Sequence, residues 1–190
     1  MDGIDASDAK LLARARRGEE SAFLDLYQRY RRPVYQFAWR MTGSEAAAED
    51  VAQECFLALL DGAGYDPGQG ALRTYLLGIA RYRSLRRLHA AGREPQAEAA
   101  DLPDSPDASD PLRELLAAER AEIVGRAIAA LPAAQREALI LHQYEELSLE
   151  EIARVTASEP GAVKARLFRA RESLRNRLAP LRTPPARSTS

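Results

Sequence analysis

The side chains best equipped to do chemistry in this chain are cations gathered on short stretches. Between Pro160 and Leu178 stand Lys164, Arg166, Arg169, Arg171, Arg175 and Arg177 against Glu172 alone, a local net charge of +5. A face of that kind is built to meet phosphate. A second basic run holds Arg81, Arg83, Arg86, Arg87 and Arg93 with no acid between them, and Tyr75 and Tyr82 are interleaved with it. Cations beside aromatic rings suit single-stranded or partly melted DNA: the arginines track phosphates, and each ring stacks on an unpaired base for about 1–3 kcal/mol. Helical spacing favours a core position for Tyr75 and leaves Tyr82 open. A third group, Glu49, Asp50, Gln53 and Glu54, lies on the polar side of the amphipathic segment AAAEDVAQECFLALL. Paired carboxylates could serve acid–base catalysis or a metal, but histidine, a hydroxyl nucleophile and a phosphate-cradling glycine loop are not near them. A docking surface or a solvated helix face explains them better, and no catalytic site or cofactor is expected.

The charged groups need elements to hold them, and the pattern is helical throughout. In the segment LSLEEIARVTASEPGAVKARLFRARESLRNRL, Ser148 and Glu151 have the S-x-x-E spacing of a capping box. Pro160 suits the first turn of the next helix, and Gly161 is expected to permit a close approach by its neighbours. Val163, Leu167, Ala170, Leu174 and Leu178 form one apolar stripe at three- and four-residue steps. At about 100° per residue, Ala162, Ala165, Phe168 and Arg169 point away from that stripe, flanked by Arg166 on one side and by Lys164 and Arg171 on the other. Two short helices around a tight turn, ending in a basic helix, make a helix-turn-helix.

Upstream, helical spacing joins Phe23, Leu26, Tyr27 and Tyr30, then Val34, Phe37 and Met41, then Val51, Cys55 and Leu59, then Leu72, Leu76 and Ile79. Gly18, Gly43 and Gly62 punctuate these runs, Ser7 and Ser44 are expected as N-caps, and Pro33 is expected near a helix start. No alternating run suggests a strand. The fold class is all-α: a bundle of about four helices over 1–93, with the loop DGAGYDPGQG between its last two, then helices over about 112–130 and 133–143 before the helix-turn-helix that ends at 178. Residues 94–111, EPQAEAADLPDSPDASDP, contain six acids, no base and four prolines, and are expected to form a flexible linker. Residues 179–190 are expected to be a disordered tail.

Composition bounds the rest. The 190 residues carry a formal net charge of −1, so the positive charge is concentrated locally rather than spread. Cys55 is the only cysteine and excludes an internal disulfide, and with only His89 and His142 it makes no zinc cluster. No apolar run approaches the roughly 18 residues of a membrane span, and MDGIDASDAK lacks the order of a signal peptide, so no membrane insertion and a cytoplasmic location are expected.

The order of these features resembles the extracytoplasmic-function group of bacterial RNA polymerase sigma factors, over roughly residues 8–178 apart from the linker. AEDVAQECF resembles the family's motif on the helix that docks on the clamp of the polymerase's largest subunit. YDPGQGALRTYLLGIAR resembles its loop and helix for opening the minus-ten element, and LPAAQREALILHQYEELSLEEIA with PGAVKARLFRAR resembles its minus-thirty-five-binding domain. The resemblance implies that Asp50, Gln53 and Glu54 contact polymerase. It implies that the loop from Asp66 to Leu72, with Asp66, Gln69, Arg73, Tyr75, Arg81, Tyr82, Arg83 and Arg86, captures the minus-ten strand and holds a base turned out of it, against an unstacking cost of a few kcal/mol. It implies that Lys164, Phe168 and Arg169 approach base edges at the minus-thirty-five element while Arg166 and Arg171 hold phosphates. Core RNA polymerase, through the clamp and the flap of its second-largest subunit, promoter DNA and an anti-sigma factor are the implied partners. The chain departs from the family pattern at Tyr82 and Arg86, where asparagine and aspartate are usual, and at Ala165, where a small polar residue is common. The residues alone leave a second reading open: a helix-turn-helix regulator that binds intact duplex as a dimer and never docks polymerase. An enzyme with a fused binding domain lacks a catalytic constellation.

Overall fold

In the computed structural model of the protein, residues 2–62, 64–90, 92 and 111–182 are described, and they form eight helices. They are α1 (Asp2–Ala15), α2 (Glu20–Thr42), α3 (Glu45–Leu60), α4 (Leu72–Ala90), α5 (Pro111–Ala129), α6 (Ala133–Gln143), α7 (Leu149–Thr156) and α8 (Pro160–Arg182). The expected linker over 94–110 and the tail from 183 onward lie outside the described residues, as does Arg93.

The bundle α1–α4 is organised by α2, whose stripe Leu26, Tyr30, Val34, Phe37 and Met41 is buried. Pro33 sits in the middle of α2, not near a start as expected. Interior proline costs a helix about 3 kcal/mol, and here the continuous stripe on both sides of it carries the helix through. Ser7 likewise lies inside α1 rather than capping it. The next residue, Asp8, is fully buried and accepts hydrogen bonds from the Arg29 guanidinium and the Tyr30 hydroxyl, so a paired carboxylate fixes α1 on α2. Burial, reinforced by that carboxylate, holds the Tyr30 phenol well above its ordinary pKa. Gly43 terminates α2 with φ 70° while its N–H donates to the Trp39 carbonyl, and Ser44 starts α3 by accepting from the Ala47 N–H at 3.3 Å.

The C-terminal helices follow the expected boundaries within a residue or two, with two corrections. Pro111, assigned to the linker, opens α5, and α8 continues past 178 to Arg182. The capping box of α7 is formed: the Glu151 N–H donates to Ser148 Oγ at 3.2 Å, and the Ser148 N–H donates to Glu151 Oε2 at 2.8 Å. Ala157 turns the chain in the left-handed region at φ 49°, and the Ser158 N–H closes the end of α7 on the Ala153 carbonyl.

The two helical groups do not stand apart. Buried Ala138, Ile140, Leu141, Leu147, Ile152, Val163 and Leu167 from α6, α7, α8 and the α6–α7 connection belong to one apolar core with the α1–α4 bundle. A smaller cluster of Ile128, Leu131, Leu139 and Ala170 joins α5, α6 and α8. Arg136 on α6 is 1% exposed at the junction. Its guanidinium donates to the carbonyls of Ile128, Ala129 and Leu131 at the end of α5, and to Met41 O at 2.9 Å at the end of α2. One cation thereby satisfies the carbonyls that two helix C-termini leave without intrahelical partners, where the helix dipole also favours positive charge.

Candidate nucleic-acid interface

In the helix-turn-helix, Val163, Leu167 and Ala170 seal α8 against the core, which rotates the opposite face to solvent. Lys164, Arg169 and Arg171 are exposed on it, and Phe168, at 65% exposure, is the most exposed large apolar side chain described. An aromatic ring held in water among cations can make apolar contact with a base methyl or a sugar. Arg166 lies lower, 3.7 Å from the Glu137 carboxylate, with Nη1 donating to Ser158 Oγ at 3.4 Å. It supports the turn as well as flanking the face. Gly161 makes no close approach: a Cβ added there would meet open space.

The loop before α4 and the exposed side of that helix enclose a cavity of about 670 Å³, bordered by Asp66, Gln69, Gly70, Tyr75 and Tyr82. Asp66 shapes the loop, its carboxylate accepting from the Gly68 N–H at 2.9 Å and from Gln69 Nε2 at 3.1 Å. A Cβ on Gly68 would lie 3.2 Å from Asp66 Oδ1, so the turn is tight around that carboxylate. Tyr75 is half-buried with its ring 5.4 Å from that of Tyr65, and Tyr82 is 57% exposed at the rim with the Arg86 guanidinium 5.9 Å from its ring centre. The arrangement can take a flat aromatic group against tyrosine, with cations near the mouth.

The arginines of α4 divide by direction. Arg83 pairs with Glu54 at 3.2 Å, and Arg87 reaches both Glu54 at 2.8 Å and Asp50 at 3.3 Å. The hydrogen bond from Arg87 holds the Glu54 carboxyl below its ordinary range. Arg73 pairs with Glu145, in the α6–α7 connection, at 2.7 Å and Arg81 with Glu137 of α6 at 2.7 Å, both carboxylates being 2% exposed. Burial pushes the Glu145 carboxyl up in spite of Arg73.

On the far side of α3, Gln53 and Glu49 border an open groove of about 870 Å³ walled by Phe23, Tyr27, Phe56 and Leu57. The rings of Tyr27 and Phe56 lie 4.9 Å apart, and Leu57 is 54% exposed. Asp50, Gln53 and Glu54 therefore do not form one patch: Gln53 faces the groove, whereas Glu54 and in part Asp50 face the arginines of α4. Sequence reasoning took Phe23 and Tyr27 as core stripe and missed the groove; the signal available was Leu57, an apolar residue off the buried stripe. It also missed Arg136, Glu137 and Glu145; the charge of Arg136 and Glu137 inside the apolar run of α6 was the only clue, and Glu145, in the polar α6–α7 connection, offered none.

Comparison with known proteins defines the class. Residues 26–94 match sigma-70 region 2, and residues 121–174 match sigma-70 region 4. The chain is 34% identical over 183 residues to the RNA polymerase sigma-H factor of Pseudomonas aeruginosa, covering 92% of this chain and 95% of that one. It is 32% identical over 184 residues to the ECF RNA polymerase sigma-E factor of Escherichia coli K12, covering 92% and 96%. Likeness of fold extends to the sigma factor RpoE of Bartonella quintana, solved with the anti-sigma factor NepR, at TM-score 0.66, 24% identity and coverage of 83% and 96%. It extends also to CnrH, solved with the cytosolic domain of CnrY, at TM-score 0.67, 24% identity and coverage of 93% and 99%. The chain belongs to the extracytoplasmic-function RNA polymerase sigma factors. It is a transcription initiation factor that works with core RNA polymerase and promoter DNA. Among the described residues no helix is long and apolar enough to cross a membrane.

Proposed function

We propose a division of labour in which α8 reads the minus-thirty-five element, the cavity beside α4 holds an unstacked minus-ten base, and the α2–α3 groove docks the polymerase clamp. In this reading Arg169 and Lys164 reach base edges, Phe168 makes apolar contact, and Arg171 and Arg166 hold phosphates. Tyr82 and Tyr75 offer stacking faces to the captured base, the Asp66–Gln69 turn shapes its pocket, and Arg73, Arg81, Arg83 and Arg86 supply charge for the strand. Gln53 and Asp50 contact polymerase, while Glu54 acts chiefly as a strut that sets α4 on α3. The factor performs no catalysis of its own, acts in the cytoplasm beside polymerase, and divides before α5 into a domain for core docking and melting and a domain for upstream recognition.

The observation that carries this reading is a cavity of about 670 Å³ rimmed by the exposed Tyr82, on a helix separate from the cationic α8. A duplex-binding regulator has use for α8 but none for a second, tyrosine-lined cavity beside the arginines of α4. Transcription in vitro with core polymerase on a promoter library tests it. RNA synthesis that depends on this protein is the expected result; duplex binding without initiation would favour the regulator.

A further inference from the structure

The arginines of α4 are not equivalent. Arg73 and Arg81 are held by Glu145 and Glu137, while Arg83 and Arg87 turn to Glu54, with Arg87 reaching Asp50 as well. Arg86 is exposed on the same helix and, among the described residues, holds no carboxylate. What its guanidinium approaches is the ring of Tyr82, one turn back, at 5.9 Å from the ring centre. That spacing lies at the outer limit of a cation–π contact, and Tyr82 is 57% exposed, so the ring keeps a face for a ligand. Tyr82 also lines the cavity of about 670 Å³ with Asp66, Gln69 and Tyr75, and Arg86 stands one turn beyond it, outside the lining.

We propose that Arg86 is a specificity residue that reads a guanine beside the captured base, with Tyr82 standing between the two bases. The proposal rests on the minus-ten role assigned to α4 above. The rim position of Tyr82 brings the next base of the strand to the part of the helix where Arg86 stands. A guanidinium has five N–H donors in a fixed fork and no acceptor, so it selects an edge with two adjacent acceptors. Guanine O6 and N7 form such an edge. On the corresponding edge adenine sets an amino donor beside N7, thymine sets a methyl group near O4, and cytosine offers only a donor. Freedom from a protein carboxylate matters for the same reason, because the forks of Arg83 and Arg87 are already engaged by Glu54. Tyr82 and Arg86 also depart from the family pattern together. An ionised aspartate only accepts hydrogen bonds and Arg86 only donates them, which reverses the kind of base edge this position can bind.

The test is transcription in vitro by core polymerase and the full chain on a promoter library randomised across the minus-ten element, with the transcripts sequenced. The wild-type chain is expected to favour guanine about tenfold at one position of the element. Arg86→Gln is expected to abolish that preference and to leave the preferences at other positions as they were. Arg86→Lys separates the two roles open to an arginine. It keeps the charge and loses the fork, so a phosphate contact survives it and a guanine contact does not. A template with 7-deazaguanine at the favoured position lacks the N7 acceptor; the wild-type chain should use it severalfold less well than guanine, and Arg86→Gln should use the two equally. Arg86 is exposed, and circular dichroism confirms that both variants are folded. The proposal is overturned by a wild-type chain without a guanine preference, by a preference that Arg86→Lys retains, or by 7-deazaguanine used as well as guanine. The functional reading fails separately, if core polymerase with this chain initiates on no member of the library, and the proposal then falls with it.

Discussion

Helices α4 and α8 both carry rows of cations, yet the protein treats them in opposite ways. On α8, Lys164, Arg169 and Arg171 stand in solvent beside an exposed Phe168. On α4, Arg73, Arg81, Arg83 and Arg87 already hold protein carboxylates, two of them on the other domain. The difference tracks the work assigned to each. Upstream recognition meets a duplex that is always available, so a preformed cationic face suffices. In the proposed division of labour, strand capture falls to a helix whose cations are already paired with protein carboxylates.

The most severe way to break the comparison is to remove the residue that joins its two halves. Arg136→Ala leaves carbonyls of Ile128, Ala129, Leu131 and Met41 without their buried donor. Urea unfolding is expected to show a loss of about 3–5 kcal/mol. Next in size, Arg169→Ala acts on α8 alone: promoter affinity on a minus-thirty-five duplex should fall about 10- to 100-fold, the 1–3 kcal/mol of one base contact, with discrimination relaxed at a single position. Tyr82→Ala acts on α4 alone. It should slow promoter opening about tenfold, within the 1–3 kcal/mol of one stacked base, while leaving duplex affinity unchanged; equal opening rates would remove Tyr82 from the pocket. The smallest effect concerns the acidic strut. Because Arg87 lowers the Glu54 pKa in the folded chain, the stabilisation is present above the ordinary carboxylate range and is lost as pH falls through the lowered value. Acid unfolding of Glu54→Gln should therefore begin from lower stability at neutral pH and fall less steeply in acid than the wild type.

The sequence carried local structure well and distant pairing poorly. Helical spacing and caps marked α3, α6 and α7 almost to the residue, since the Ser44 and Ser148 caps are contacts over three residues. Where local signals competed with packing they misled: Pro33 reads as a start but lies inside a helix whose buried stripe runs through it. The two faces of the comparison differ in the same way. The exposed face of α8 follows from the 3.6-residue period and the stripe Val163–Leu167–Ala170. The occupation of α4 does not, because Arg81–Glu137, Arg73–Glu145 and Arg136–Met41 join residues 56, 72 and 95 positions apart. No period or motif reports such pairs; only a buried charge within an apolar run hints that a partner exists.

The central claim is that this chain brings polymerase to promoters and helps turn out a minus-ten base. Its most direct test is the fluorescence of 2-aminopurine placed at the minus-ten element of a promoter that this protein serves. Core polymerase and the protein together are expected to raise the fluorescence, with neither doing so alone and Tyr82→Ala slowing the rise. No change with both present, or an equal rise with core polymerase alone, would contradict the account.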